Sequence, residues 1–184
     1  MKKNSYLVLL VAVIVLILAC APCGLGTGSD FLPGGTVEVS AEAARNLEKK
    51  VASAITENPS DHFTLRITDE EITSFATLNL PEKGGGLPIT RPQIRLTQGK
   101  FFIGGLLSCC PLQVKVLMVG SAKAADNYLE IKVEKALIGP FSLPEQFLKS
   151  FSESINKSIR EEQPKIQISE VQILEGEIVI TGQK

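Results

Sequence analysis

The chain has 184 residues, 44% apolar and 21% charged, with a formal charge of −1, which suffices for one domain whose core needs no disulfide support. Removing Lys2 and Lys3 with an N-terminal leader leaves 19 − 2 = 17 cations against 20 acids, a charge of −3 with the signs well mixed. With no Trp, two Tyr and no Lys/Arg cluster, the chain lacks the electrostatic footprint and stacking platforms of a nucleic-acid binder.

Lys2 and Lys3 precede an uncharged apolar run over residues 6–19. Its 14 residues fall short of the roughly 20 that span a bilayer and match the apolar part of an export signal. Ile17, Leu18, Ala19 and Cys20 have the form of a bacterial lipoprotein signal, in which the cysteine after a small residue is lipidated and becomes the mature N-terminus. Pro22 disfavours the alternative small-x-small cleavage for plain secretion. An uncleaved signal anchor with Cys20 as a bystander is the other alternative. The expected organisation is a leader over 1–20, a flexible Gly/Pro-rich tether over 21–36 and a folded domain over 37–184, held at the outer face of the cytoplasmic membrane.

In the domain, Ser40 is a candidate N-cap for a helix running to about residue 56, with Ala44, Leu47, Val51, Ala54 and Ile55 at helical spacing. A turn at residues 58–61 leads into a short extended segment from His62. Thr68-x-x-Glu71 reads as a capping box, in which each side chain satisfies the other residue's amide, opening a second helix that buries Ile72, Phe75 and Ala76. After three glycines at 84–86 the period becomes two. Residues 94–107 form a hairpin about Gln98-Gly99, and residues 112–133 a second one about Asp126-Asn127, each with one apolar face.

Ser142 and Glu145 suggest another capping box around Pro144. Leu143, Phe147, Phe151, Ile155 and Ile159 then recur every fourth residue along an amphipathic helix that ends before Pro164. The alternation of the closing strands slips phase at Ser169-Glu170, which signals a β-bulge before a last turn at Glu175-Gly176. The sum is an α+β fold: a curved antiparallel meander of about six strands around the helix that starts near Ser142, with further helices N-terminal to it.

No catalytic constellation emerges. His62 is the only histidine and has no evident partner that would make it a base. The glycine-rich residues 24–28 follow no strand and open no helix, so they read as tether rather than phosphate loop. Glu70-Glu71 and Glu161-Glu162 are explained by helix-start charge and a solvated face. Cys23 and the Cys109-Cys110 doublet lack the paired spacing of a zinc site, so neither metal nor cofactor is expected. Phe101 and Phe102, consecutive in a strand, must point to opposite faces: one into the core, the other under a helix, into a pocket or onto a membrane-facing patch.

Four segments, residues 67–80 (ITDEEITSFATLNL), 91–105 (RPQIRLTQGKFFIGG), 129–144 (LEIKVEKALIGPFSLP) and 168–182 (ISEVQILEGEIVITG), resemble in that order the small YpmS-like and LmeA-like bacterial envelope proteins. The domains of those proteins look related to the tubular lipid-binding superfamily. The resemblance implies a non-catalytic domain that binds lipids or lipid-linked molecules at the membrane, with Phe101, Phe102, Leu106, Phe147, Phe151 and Ile155 as candidate lipid contacts. A cell-envelope assembly accessory with an envelope protein partner is the alternative expectation. An envelope hydrolase is a remote one, since the chain has no Gly-x-Ser-x-Gly elbow.

Overall fold

The structure, a computed structural model, describes residues 32–54, 61–79, 89–109, 112–162 and 166–183. The leader with Cys20, Cys23, residues 24–28, the turn residues 58–60, the glycines at 84–86 and Cys110 lie outside the described residues. In chain order the elements are α1 (Ala41–Ala52), β1 (His62–Thr68), α2 (Asp69–Asn79), β2 (Ile89–Thr97), β3 (Lys100–Cys109), β4 (Leu112–Ala125), β5 (Tyr128–Ile138), β6 (Phe141–Ser142), α3 (Glu145–Glu162), β7 (Gln167–Ile173) and β8 (Glu177–Gln183). The fold is α+β and antiparallel. Its strands form two open sheets, a five-stranded meander β2-β3-β4-β5-β6 and a three-stranded sheet β1-β8-β7, where a single sheet was expected.

Local chemistry sets most element boundaries. The Ser40 hydroxyl accepts from the amides of Glu42 and Ala43 at 3.2 and 3.3 Å, and α1 buries Ala43, Ala44, Leu47 and Val51 before ending at Ala52. The Thr68–Glu71 capping box forms: Thr68 Oγ1 accepts from the Glu71 amide at 3.1 Å, and the Thr68 amide donates to Glu71 Oε2 at 3.0 Å. Lys50 Nζ closes on the same carboxylate at 2.7 Å, so buried Glu71 has a partner for its charge. Both predicted hairpin turns have positive φ at their two central residues, Gln98 (51°) with Gly99 (73°) and Asp126 (54°) with Asn127 (66°), which matches the twist of the flanking strands. The bulge in β7 sits where the alternation slips, between Ile168 and Glu170.

Helix α3 differs from expectation in two respects. The Ser142–Glu145 capping box does not form, because Ser142 pairs with Leu137 in β6 and the first helical amides, of Phe147 and Leu148, donate to the carbonyl of Pro144. The buried face is Leu148, Ser152, Ile155 and Ile159, whereas Phe147 is 66% exposed. Steps of four residues overshoot a 3.6-residue turn by about 40° each. A strict every-fourth row therefore drifts off the core, and Phe147 lies about 120° around the helix from Ile159.

Helix side chains close both long edges of the five-stranded sheet. On β2, Thr73 Oγ1 accepts from the Ile94 amide at 3.0 Å and donates to the Ile94 carbonyl at 3.1 Å. On β5, Asn156 Oδ1 accepts from the Ile131 amide at 2.8 Å while Nδ2 donates to the Ile131 carbonyl at 2.9 Å, and Ser152 Oγ accepts from the Val133 amide at 2.9 Å. A strand edge left open is a template for unwanted pairing. With α3 bonded to β5 at these positions, β7 has no place beside that stretch of edge, and β8 pairs instead with β1 along its full length from His62↔Gln183 to Thr68↔Glu177.

One contiguous core joins both sheets and all three helices. Two glycines permit its tightest contacts: a Cβ at Gly120 would overlap the Lys132 carbonyl oxygen and the Phe101 ring, and one at Gly182 would overlap the Gln167 carbonyl oxygen and the Phe63 ring. Each glycine lies directly opposite its phenylalanine across the strands, and each stands at a bulge. No helix among the described residues is long and apolar enough to cross a membrane.

Candidate functional site

Strand alternation divides the five-stranded sheet into a core face, carrying Ile94, Leu96, Phe101, Ile103, Met118, Val133 and Ala136, and an outer face. Cross-strand register places Phe102 opposite Arg95 and Val119 on the outer face, Gly104 opposite Gln93 and Leu117, and Leu106 opposite Thr90 and Lys115. Phe102, Leu106 and Val119 are half-buried there.

The segment at 32–37, of which 32–36 were read from the sequence as the end of the tether, lies on this outer face. Arg95 pins it: Nε donates to the Gly35 carbonyl at 3.2 Å, and Nη2 to those of Gly34 and Thr36 at 2.8 and 3.2 Å, while Nη1 pairs with Asp69 at 2.9 Å. Two residues along the strand, Gln93 Oε1 accepts from the Val37 amide at 2.6 Å. Alternate residues of β2 thus hold successive residues of an irregular segment. The Leu32 side chain lies over Gly104, where an added Cβ would come within 3.3 Å of it.

Between this segment and the sheet runs a groove of about 210 Å³, lined by Leu32, Gly35 and Thr36 of the segment and by Arg91, Gln93, Gly104, Gly105, Leu106, Lys115 and Val116 of the sheet. Among the described residues its lining contains no histidine, cysteine or acid, so those residues supply no base or nucleophile–base pair. It offers an apolar floor and two cations.

Arg91 is placed there by an irregularity. The β2–β3 register shifts between Thr90 and Gln93, and Arg91 within that bulge has φ 52°. Among the described residues it is the one non-glycine with positive φ outside a two-residue hairpin turn. That conformation costs an L-residue about 1–2 kcal/mol, and proline at the next position, Pro92, normally favours extended backbone. Bulges re-aim side chains, and this one accompanies an exposed guanidinium at the rim of the groove.

The candidate lipid contacts separate. Phe101 (7% exposed) and Ile155 (2%) are in the core, and Phe151 is half-buried against it. Phe147 projects from the first turn of α3. Leu106 lines the groove, and Phe102 shares its face. Cys20 lies outside the described residues. Sequence reasoning did not single out Leu32, Arg91 and Lys115. Lys115 was readable, because counting back from the Asp126-Asn127 turn puts it on the wet face of β4. His62 stands exposed at the start of β1, opposite Gln183, away from the groove.

A scan against protein-family models finds no match to this chain. A search of curated proteins likewise returns none.

Proposed function

We propose that this is a membrane-tethered extracytoplasmic protein, at the outer face of the cytoplasmic membrane, that binds or handles lipids or lipid-linked molecules without catalysis. The observation that carries the reading is the groove, whose apolar floor at Leu32 and Leu106 meets the cations Arg91 and Lys115. An amphiphile with an anionic head has the complementary layout. The proposed lipid anchor at Cys20 is 32 − 20 = 12 residues before Leu32, a reach of at most about 40 Å, so the groove is tied close to the bilayer. Pockets that enclose a whole small ligand measure about 300–1,000 Å³. At about 210 Å³ this one suits a head group and its first methylenes, which favours engaging a lipid still seated in the bilayer over carrying an extracted one.

The test is native mass spectrometry of the full chain released from a neutral detergent. The expected result is co-purified lipid bound to the folded protein, lost in Leu106→Asp and reduced in Arg91→Gln, with unchanged thermal unfolding in the latter. A wild-type chain that carries no lipid under these conditions refutes the reading.

One observation favours a second reading, an envelope assembly accessory. Helix α3 packs on β5, with Leu148, Ile155 and Ile159 in the same core cluster as Ile131, Val133 and Ala136. Cross-linking on intact membranes would then return a stoichiometric protein partner, and finding none sinks that alternative.

A further inference from the structure

The two most exposed large apolar side chains among the described residues are Phe141 (63%) and Phe147 (66%). Both lie at the end of the five-stranded sheet where the groove is. In that row Leu106 pairs with Lys115, Val116 with Ile138, and Ile138 with Phe141, while the Gly139 amide donates to the Lys115 carbonyl at 2.7 Å. Leu143 then donates to the Ala136 carbonyl at 2.9 Å, which starts α3 at this end. The helix runs away toward the β4–β5 turn, where Arg160 comes within 3.7 Å of Asp126.

Charge is polarised along the same axis. The segments at 32–36, 90–93, 104–107, 113–116 and 137–149 carry Arg91, Lys115 and Lys149 against one acid, Glu145. The far end, at the three hairpin turns and the end of α3, carries Asp126, Glu161, Glu162, Glu175 and Glu177 against Lys100, Arg160 and the Arg66 that pairs with Glu177 at 2.7 Å. The described chain also begins at the cationic end, with Leu32 over Gly104.

We infer that this end is a bilayer-docking edge, in which the rings of Phe141 and Phe147 enter the interfacial region of the membrane while Arg91, Lys115 and Lys149 lie at the level of anionic head groups. The occupant is a lipid surface because three independent features coincide: exposed aromatic rings, excess positive charge, and the point from which the chain leads back to the apolar leader. Shallow apolar insertion backed by cations is how interfacial segments bind anionic membranes. This edge turns the groove toward the head groups. The inference rests on the membrane-tether reading, but it does not require that the groove be filled.

The chain has no tryptophan, so Phe141→Trp and Phe147→Trp each introduce a unique fluorophore at an exposed aromatic position, and Leu174→Trp provides one at the far end. The full-length variants are reconstituted in phosphatidylglycerol-containing vesicles with acyl chains brominated near the head group. Quenching is expected at 141 and 147 and absent at 174. Adding Phe147→Asp to the Phe141→Trp chain lowers the docked-to-undocked ratio about tenfold or more, the equivalent of one buried phenylalanine ring. Equal quenching at all three positions, or none at 141 and 147, overturns the inference. Emission at 141 and 147 that is already blue-shifted in neutral detergent and unquenched in vesicles assigns the edge to a protein surface and overturns it as well. Quenching at 141 and 147 in a chain that carries no lipid by mass spectrometry upholds the docking edge and refutes only the lipid-handling reading.

Discussion

Asn156 is one side chain of α3 that takes the place of a neighbouring strand, and replacing it measures how far the fold depends on that substitution. Asn156→Ala removes both bonds to Ile131, at 2.8 and 2.9 Å. It leaves a partly buried backbone amide and carbonyl unmade, at about 1–2 kcal/mol each. Alanine is the better helix former by about 0.5 kcal/mol, which offsets part of the loss. The expected net destabilisation is about 2–3 kcal/mol, or a fall in Tm of about 5–10 °C for a domain of this size. Equilibrium urea unfolding followed by circular dichroism gives the global figure. Amide exchange at Ile131 gives the local one and is expected to accelerate more than exchange at Ile94, whose edge is closed by Thr73. Asn156→Asp keeps the acceptor for the Ile131 amide but turns a carboxylate oxygen toward the Ile131 carbonyl, so it should not restore stability. A cost below about 0.5 kcal/mol for Asn156→Ala, the level of an ordinary surface change, would refute the claim that this side chain closes the sheet edge.

Gly182→Ala should cost at least about 2–3 kcal/mol, because the new Cβ meets a backbone carbonyl oxygen and the Phe63 ring rather than the yielding end of a side chain; a Tm within a degree of the parent would show that the bulge relaxes freely. The Lys100 ammonium, bonded at 2.6 Å, together with the Ser121 hydroxyl, holds the Glu134 carboxyl below its ordinary value. The unfolded chain therefore binds the proton more readily, so the contribution is present above the usual carboxylate range of about 4.3 and is lost as pH falls through the lowered folded value. Glu134→Gln should lower the neutral plateau slightly and so flatten the acid limb of the stability profile, leaving stability below the folded value nearly unchanged. An acid limb identical in slope to the parent would contradict that assignment.

The elements legible in the sequence are those decided within a few residues of the chain. Ser40 and the Thr68–Glu71 pair cap helices because a side-chain oxygen reaches an amide two or three positions away. Gln98-Gly99 and Asp126-Asn127 turn because Gly99, Asp126 and Asn127 tolerate positive φ. The slip of alternation at Ser169 marks a bulge because the side-chain period of a strand is two. The antiparallel α+β class follows from these local facts, since hairpins leave no room for crossover helices.

What only the tertiary structure decided depends on groups distant in sequence. The strands divide into two sheets because Ser152 and Asn156 occupy part of the β5 edge, a use of polar helix residues that periodicity registers only as a wet face. The every-fourth row Leu143, Phe147, Phe151, Ile155, Ile159 promised a single apolar stripe, and docking on β5 rotated it so that Ile155 and Ile159 are buried and Phe147 is left in solvent. The groove exists because Arg95 and Gln93 fold residues 34–37 back over the sheet across some sixty positions, and because a bulge brings Arg91 to its rim. Short-range hydrogen bonding and side-chain period are written along the chain. Which polar side chain closes an edge, and which apolar one is left outside, is settled only when the elements compete for the same surface.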